Sequence, residues 1–244
     1  CHDDLDRCPF QARSGELTRR KRYRPKGWCR ETVEARLDLI CGDLMERLVL
    51  AYRTGLEGVA FRTRDPSAPL SETRMTIEIH QKSPLWAGIG LTALAEVAGR
   101  ATLDYLEINA DAASLAILAT DDAEIAELNA EFRNKSVPTN VLSWPAIDLA
   151  ASDAGGQPDL PQADVFGEIE LGDIAISFET CAREAETAGK PMSDHVTHLI
   201  VHGVLHLLGY DHIRDPDATL MQTREVEILG KLGIDDPYWA MDGA

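Results

Sequence analysis

Three histidines in the last quarter of the chain have the residue type and the spacing of a metal site. His202 and His206 are four residues apart, so on a helix their rings lie one turn apart on the same face. His212 follows six residues later, and Gly209 lies between them, where a glycine can adopt the left-handed conformation that ends a helix. The chain can then turn back and bring the third ring to the first two. We therefore predict that these three side chains bind one metal ion.

One more histidine, His198, continues the same helical stripe toward its amino end, and His195 precedes it. His198 and His206 are separated by about 12 Å along the axis at 1.5 Å per residue. Metal–imidazole bonds are about 2 Å long, so this pair cannot share an ion. We expect His195 and His198 to be ordinary core or surface histidines. Asp211 has two interpretations: it orients a ligand histidine through the second ring nitrogen, or it caps the turn.

A site of three neutral imidazoles leaves one position of a tetrahedral ion open, which is typical of catalytic rather than structural zinc. An ion of this kind can lower the pKa of a bound water to about 7. The spacing equals that of the metzincin proteases, H-E-x-x-H-x-x-G-x-x-H, but Gly203 stands where they have a glutamate base. We expect this glycine to leave open space beside the metal for a bulky substrate such as a nucleic-acid backbone.

The elements around this motif follow from hydrophobic periodicity and from turn residues. They are strands over 76–80, 114–119, 141–144 and 168–177, the last with a break at Gly172, and helices over 85–103, 121–132, 178–188, 191–208 and 215–231. The last helix opens with an aspartate cap, Asp215, followed by a proline. The order predicts a single α+β domain in which helices pack on a small mixed β-sheet, with the three-histidine site at the end of a central helix.

The composition of the chain changes near Met75. Residues 1–74 carry 15 Lys and Arg against 12 Asp and Glu, whereas residues 75–244 carry 9 against 29. We predict that residues 75–244 form the functional domain and that residues 1–74 are an extension, either mis-joined upstream sequence or a disordered arm. Two alternatives stay open for the extension. One is a basic RNA-binding arm around residues 19–24. The other is a metal knuckle, for which the signal is weak because no Cys-x-x-Cys pair is present. Its ligands would be Cys1, Cys8, Cys29, Cys41 and His2.

Several classes of protein are excluded by composition. No run of about 18 apolar residues is present, which argues against a membrane-spanning helix. The 5 cysteines in 244 residues are too few for a disulfide-stapled scaffold, and the first residues lack the pattern of a secretory signal. We expect a protein of the reducing cytoplasm.

Three blocks of the sequence resemble those of one known family. Residues 202–212, HGVLHLLGYDH, resemble the hallmark of the YbeY family, zinc-dependent bacterial endoribonucleases that mature ribosomal RNA. Residues 128–145 are similar to the family pattern L-N-x-x-[YF]-R-x-K-x-x-P-T-[DN]-V-L-S-F-P, with Trp144 in place of the usual phenylalanine and Asn140 where aspartate is frequent. Residues 167–177 form the third block. The resemblance extends over residues 75–232.

The resemblance implies a single-strand-specific endoribonuclease with one zinc ion per domain. It implies a role in 16S ribosomal RNA 3′-end maturation and ribosome quality control, with precursor RNA and ribosomal proteins as partners. Arg133 falls on the functional arginine of the family, where it could clamp a phosphate, and Lys135 could add a point charge. Two alternatives remain open. One is a metallopeptidase, suggested by the histidine spacing alone, and the other is a non-catalytic ribosome-assembly factor with a structural metal.

Overall fold

The computed structural model describes residues 75–238, which lie in one compact unit. Residues 1–74, with the predicted extension and its basic and cysteine-containing motifs, lie outside the described residues, as do residues 239–244. The elements are β1 (Thr76–Gln81), α1 (Leu91–Tyr105), β2 (Ala113–Thr120), α2 (Asp122–Arg133), β3 (Val141–Pro145), β4 (Ile169–Ser177), α3 (Phe178–Ala188), α4 (Met192–Leu207) and α5 (Asp215–Lys231).

The four strands form one mixed sheet in the order β1-β2-β4-β3. The β1–β2 and β2–β4 pairs are parallel, and β3 runs antiparallel to β4 at one edge. Seven of the eight residues of β2 are buried, as expected for a central strand that is covered on both faces. These observations confirm the predicted α+β fold, in which helices pack on a small mixed sheet.

Helix α4 is the central helix of the domain. It packs against β3, β4 and α1, and it buries an apolar face that includes Val196, Ile200 and Val204 without measurable exposure. These three residues recur every four positions, so they lie on one side of the helix. The histidine stripe occupies a different side of α4, which leaves the imidazoles partly accessible while the apolar face anchors the helix.

One predicted boundary and one predicted cap residue are wrong, and glycine accounts for the boundary. Helix α1 begins at Leu91 rather than at residue 85 because Gly88 and Gly90 have φ angles of +89° and +72°, which interrupt a right-handed helix. The residues before them form a short 3-10 turn, Pro84–Trp86. At the start of α5, Arg214 rather than Asp215 is the cap residue. Within residues 75–238, every helix is too short or too polar to cross a membrane.

Strand β4 passes through the predicted break at Gly172 without ending there. Gly172 has a φ of +130°, and the β2–β4 register shifts by one residue at this position. A β-bulge of this kind inserts one extra residue and bends the strand, and glycine tolerates the required backbone conformation. From Gly172 onward, β4 pairs with both β2 and β3.

Candidate metal centre

The end of α4 folds back on itself around Gly209. The backbone N–H of Gly209 donates to the carbonyl of His206 at 3.1 Å, and the N–H of Tyr210 donates to the carbonyl of Leu205 at 3.1 Å. With Gly209 at a φ of +87°, this is a Schellman motif, which ends a helix and reverses the chain. The reversal carries His212 back toward α4, as the position of the glycine predicts.

The structure brings His202, His206 and His212 together. One ring nitrogen of each lies within 4.8 Å of the other two, and Nε2 of His202 is 3.0 Å from Nε2 of His206. Three nitrogens bound tetrahedrally to one ion at 2.0–2.1 Å are about 3.4 Å from one another. The three side chains therefore lie close to the arrangement that a single metal ion requires.

The hydrogen bonds of two rings show that these nitrogens carry lone pairs. Nδ1 of His206 is 2.9 Å from the carbonyl oxygen of Tyr210, and Nδ1 of His202 is 2.6 Å from a carboxylate oxygen of Glu225. Both partners accept, so both Nδ1 atoms donate and both Nε2 atoms are unprotonated in the neutral ring. Two lone pairs that face each other at 3.0 Å repel unless a cation lies between them. The donor set therefore fits a metal ion.

The surroundings favour neutral imidazoles. Burial lowers the pKa of His206 well below its usual value, and the neighbouring His202 and His212 lower it further. Burial likewise lowers the pKa of His212, with added contributions from the charges of His202 and of Arg133. Neutral rings bind metals, whereas protonated rings do not.

Arg133 and Lys135 flank the end of α2. Arg133 is half-buried in the last turn of that helix, and its positive charge contributes to lowering the pKa of His212. Lys135 is exposed two residues beyond. Asn129 stabilises this turn through two hydrogen bonds. Its side-chain Nδ2 donates to the backbone carbonyl of Val137 at 2.8 Å, and its backbone carbonyl accepts from the N–H of Lys135 at 3.3 Å. Arg133 is thus partly buried at the end of α2, whereas Lys135 is exposed to solvent.

The remaining polar residues of the motif have other partners. Nε2 of His195 is 2.9 Å from Glu184, and Nε2 of His198 is 3.2 Å from Glu225, and neither ring belongs to the group of three. Asp211 accepts a hydrogen bond from the backbone N–H of His212 at 2.7 Å. Of the two interpretations of Asp211, the structure supports the cap of the turn.

The expectation of open space at Gly203 is wrong. Gly203 is buried against the sheet, and a side-chain Cβ there would lie 2.9 Å from Cδ1 of Ile174 and 3.2 Å from Oγ of Ser143. The missing side chain lets β3 and β4 approach α4 closely, which is a packing role.

Glu225 contacts the group of three histidines and was not predicted from the sequence. It lies on α5, is buried, and accepts a hydrogen bond from His202 as described above. Burial alone would raise its pKa, but hydrogen bonds from His198 and His202 outweigh burial and lower the pKa far below the usual range. The available signal was its spacing, since Glu225 lies between the apolar residues Met221 and Leu229 at four-residue steps on the buried face of α5, which also includes Asp217.

Gly209→Ala is expected to weaken both the fold and the metal site. The added Cβ would lie 2.7 Å from the backbone carbon of Leu149 and 2.9 Å from the backbone nitrogen of Ala150, in addition to the cost of a left-handed alanine. We expect the free energy of unfolding to fall by about 2–4 kcal/mol, measured by urea denaturation. Gly233→Ala is the matched control, because Gly233 is also left-handed but has open space around it. Equal losses in the two variants would contradict the proposed backbone clash.

Comparison with known proteins shows the family that this chain is similar to. The model of the family described as Endoribonuclease YbeY matches residues 77–233. A protein of that name from Ruegeria pomeroyi is 58% identical over 164 residues, which cover 67% of this chain and 98% of the relative. One from Ruegeria sp. strain TM1040 is 56% identical and covers 69% and 99%. One from Bartonella quintana is 42% identical and covers 67% and 97%.

Proposed function

Because this chain belongs to the Endoribonuclease YbeY family, we propose that it is a metal-dependent endoribonuclease that hydrolyses RNA at the centre formed by His202, His206 and His212. The observation that carries the proposal is the convergence of their ring nitrogens within 4.8 Å, in a chain whose relatives are named endoribonucleases. We further propose single-stranded RNA as the substrate, and 3′-end maturation of 16S ribosomal RNA in the cytoplasm as the setting.

Zinc is the ion that we propose for the site. Three imidazole nitrogens form a borderline-soft donor set that suits zinc, and three protein ligands leave one position open. When bound there, zinc polarises a phosphoryl oxygen and lowers the pKa of coordinated water. The backbone carbonyl of Tyr210 accepts from Nδ1 of His206, which leaves Nε2 of that ring free for the ion.

Arg133 is proposed to bind the scissile phosphate. Residues 75–238 carry nine Lys and Arg against 28 Asp and Glu, and most of these cations contact an acid or an aromatic ring. Within this described part, the three without such a partner are Arg133, Lys135 and Lys190. A guanidinium that is free of carboxylates can engage a phosphate bidentately and stabilise the charge that develops on it. Lys135 would add a point charge along the same strand of RNA.

The acidic surface bears on how RNA reaches this site. A domain with this excess of carboxylates repels nucleic acid at long range. We propose that ribosomal proteins deliver the RNA to the site and that contact with RNA is confined to the neighbourhood of Arg133 and Lys135. With this arrangement, RNA that is presented on the ribosome would be cleaved faster than free RNA.

The proposal is tested with the purified full chain and added zinc. Labelled single-stranded RNA, the same RNA in a duplex, and the DNA of the same sequence are incubated in parallel, together with a 16S precursor. We expect cleavage of the single-stranded RNA and of the 3′ region of the precursor. The product ends separate two routes, since attack by water leaves a 5′-phosphate and attack by the 2′-hydroxyl leaves a 2′,3′-cyclic phosphate. Inert RNA together with cleaved casein would overturn the proposal in favour of a peptidase.

Arg133→Gln is expected to lower kcat/KM for single-stranded RNA by about 100-fold, the usual loss when one charge-stabilising donor is removed. The side chain is half-buried at a helix end, so the fold and the zinc content should be unchanged. Rates are measured under single-turnover conditions, and zinc is measured by elemental analysis.

Lys190→Gln is the control for this prediction, because Lys190 lacks an acidic partner within the described residues but lies beyond the far end of α3. It should cleave as the wild type does. If Arg133→Gln cleaves at the wild-type rate, or if both variants lose activity equally, the proposal that Arg133 makes a specific phosphate contact is wrong.

A further inference from the structure

Glu225 is a buried acid on a helix that carries none of the three proposed metal ligands. Its side chain is 1% exposed, and it points from α5 toward the histidine stripe of α4. A carboxylate that is removed from water is costly unless hydrogen-bond donors surround it. The identity of those donors indicates what the residue does.

Three donors converge on the two carboxylate oxygens of Glu225. Nδ1 of His202 is 2.6 Å from Oε1, and Nε2 of His198 is 3.2 Å from Oε2. The hydroxyl of Tyr238 also donates to Oε2. A carboxylate has no proton to offer, so each of these partners must supply one. The contact therefore requires the proton of a neutral His202 to be on Nδ1.

We propose that Glu225 is a positioning residue for His202, which holds the ring in the Nδ1–H tautomer and in the orientation that directs Nε2 at the metal. The inference rests on the proposed metal centre and goes beyond it by assigning a role to a residue that does not touch the ion. Hydrogen bonds from metal-bound histidines to carboxylates raise the basicity of the ligand nitrogen and fix the orientation of the ring.

The two rings on α4 are held by different acceptors. His206 donates to the neutral carbonyl of Tyr210 in the Schellman turn, which is a local contact four residues away. His202 donates to a charged carboxylate 23 residues away on α5. The second contact therefore depends on α5 being docked against α4. It couples the packing of α5 to the geometry of the site.

His198 and Tyr238 support the carboxylate rather than the ion. The ring of His198 is 6.3 Å from that of His202, centroid to centroid, and is nearly perpendicular to it, while its Nε2 is engaged by Glu225. Tyr238 packs edge-on against His198 at 6.1 Å. With Oε2 occupied by these two donors, Oε1 is left for Nδ1 of His202.

The test measures metal binding by the full chain rather than catalysis. Zinc affinity is determined by competition with a chromophoric chelator, first for the wild type and for His206→Ala. A wild type that binds no zinc, or a His206→Ala variant that binds as tightly, would show that the proposed metal centre is wrong. If the wild type alone binds, Glu225→Gln is then compared with it. Glutamine has nearly the same shape, but its amide NH₂ would face one of the three donors.

Glu225→Gln is expected to bind zinc about 10- to 100-fold more weakly than the wild type, the usual effect of removing such a partner. The visible absorption of the cobalt-loaded protein should shift as well. Glu184→Gln is the matched control, since Glu184 contacts His195 at 2.9 Å in the same manner but outside the group of three. It should bind zinc as the wild type does. Equal zinc affinity of Glu225→Gln and the wild type would overturn the positioning role while leaving the metal centre intact.

A second measurement does not depend on whether the Glu225→Gln variant folds. In the zinc-loaded wild type, ¹H–¹⁵N NMR correlations of the histidine rings report which nitrogen carries the proton. A protonated Nδ1 of His202 with a downfield, slowly exchanging proton supports the inference. A proton on Nε2 of His202 would overturn it.

Discussion

His206→Ala is expected to abolish zinc binding and RNA cleavage by the full chain. Nε2 of His206 lies 3.0 Å from that of His202, and its removal leaves two of the three ligands that the site offers. A catalytic metal supplies several kcal/mol of transition-state stabilisation, and each 1.4 kcal/mol is tenfold in rate. We therefore expect the cleavage rate to fall by about 1,000-fold or more. Elemental analysis of the dialysed protein and single-turnover cleavage of labelled RNA measure the two effects.

His195→Ala is the control for this variant. His195 is on the same helix and also contacts a carboxylate, yet it lies outside the group of three. The control should retain its zinc and the wild-type rate. Stoichiometric zinc in His206→Ala would contradict the assignment of the site, and an equal loss of zinc in both variants would point to general damage to α4.

The same variants distinguish catalysis from a purely structural metal. If the metal only stabilises the fold, His206→Ala unfolds, as judged by circular dichroism, and Arg133→Gln remains fully functional. If the protein is the proposed enzyme, we expect the opposite pair of results. In that case His206→Ala keeps its secondary structure without activity, and Arg133→Gln keeps its zinc with a reduced rate.

Gly172→Ala is expected to cause the largest loss of stability. Gly172 forms the bulge of β4 at a φ of +130°, and a Cβ there would lie 2.8 Å from the backbone nitrogen of Ala146 and 3.1 Å from the backbone carbon of Pro145. These atoms cannot move without breaking the β3–β4 pairing, in which Pro145 faces Gly172 and Trp144 faces Asp173. We expect the free energy of unfolding to fall by at least about 4 kcal/mol.

A loss of this size removes much of the stability of a typical domain, about 5–15 kcal/mol in total. Urea denaturation followed by circular dichroism measures the change. Gly230→Ala is the control, because Gly230 lies within α5 with open space around it, and alanine is favoured over glycine in a helix by about 1 kcal/mol. A Gly172→Ala midpoint close to that of the wild type would show that β3 can move away from the bulge.

Periodicity and turn residues alone were sufficient to predict most of the fold. Eight of the nine elements were predicted with bounds within two residues of those observed, because an amphipathic pattern depends on residues that are close in sequence. The error at α1 arose where Gly88 and Gly90 interrupt a pattern that the apolar residues alone would continue. The break expected at Gly172 is a bulge, since pairing with strands on both sides keeps β4 continuous through it.

The meeting of His202, His206 and His212 was determined by the sequence itself. A four-residue step along a helix and a left-handed glycine are local properties, and together they bring the third ring back to the first two. Tertiary structure alone decided what surrounds these rings. Glu225 reaches His202 only because α5 packs on α4, and Gly203 faces Ile174 only because α4 lies on the sheet. Such contacts join residues that are distant in sequence, and no local pattern carries the geometry with which two elements pack.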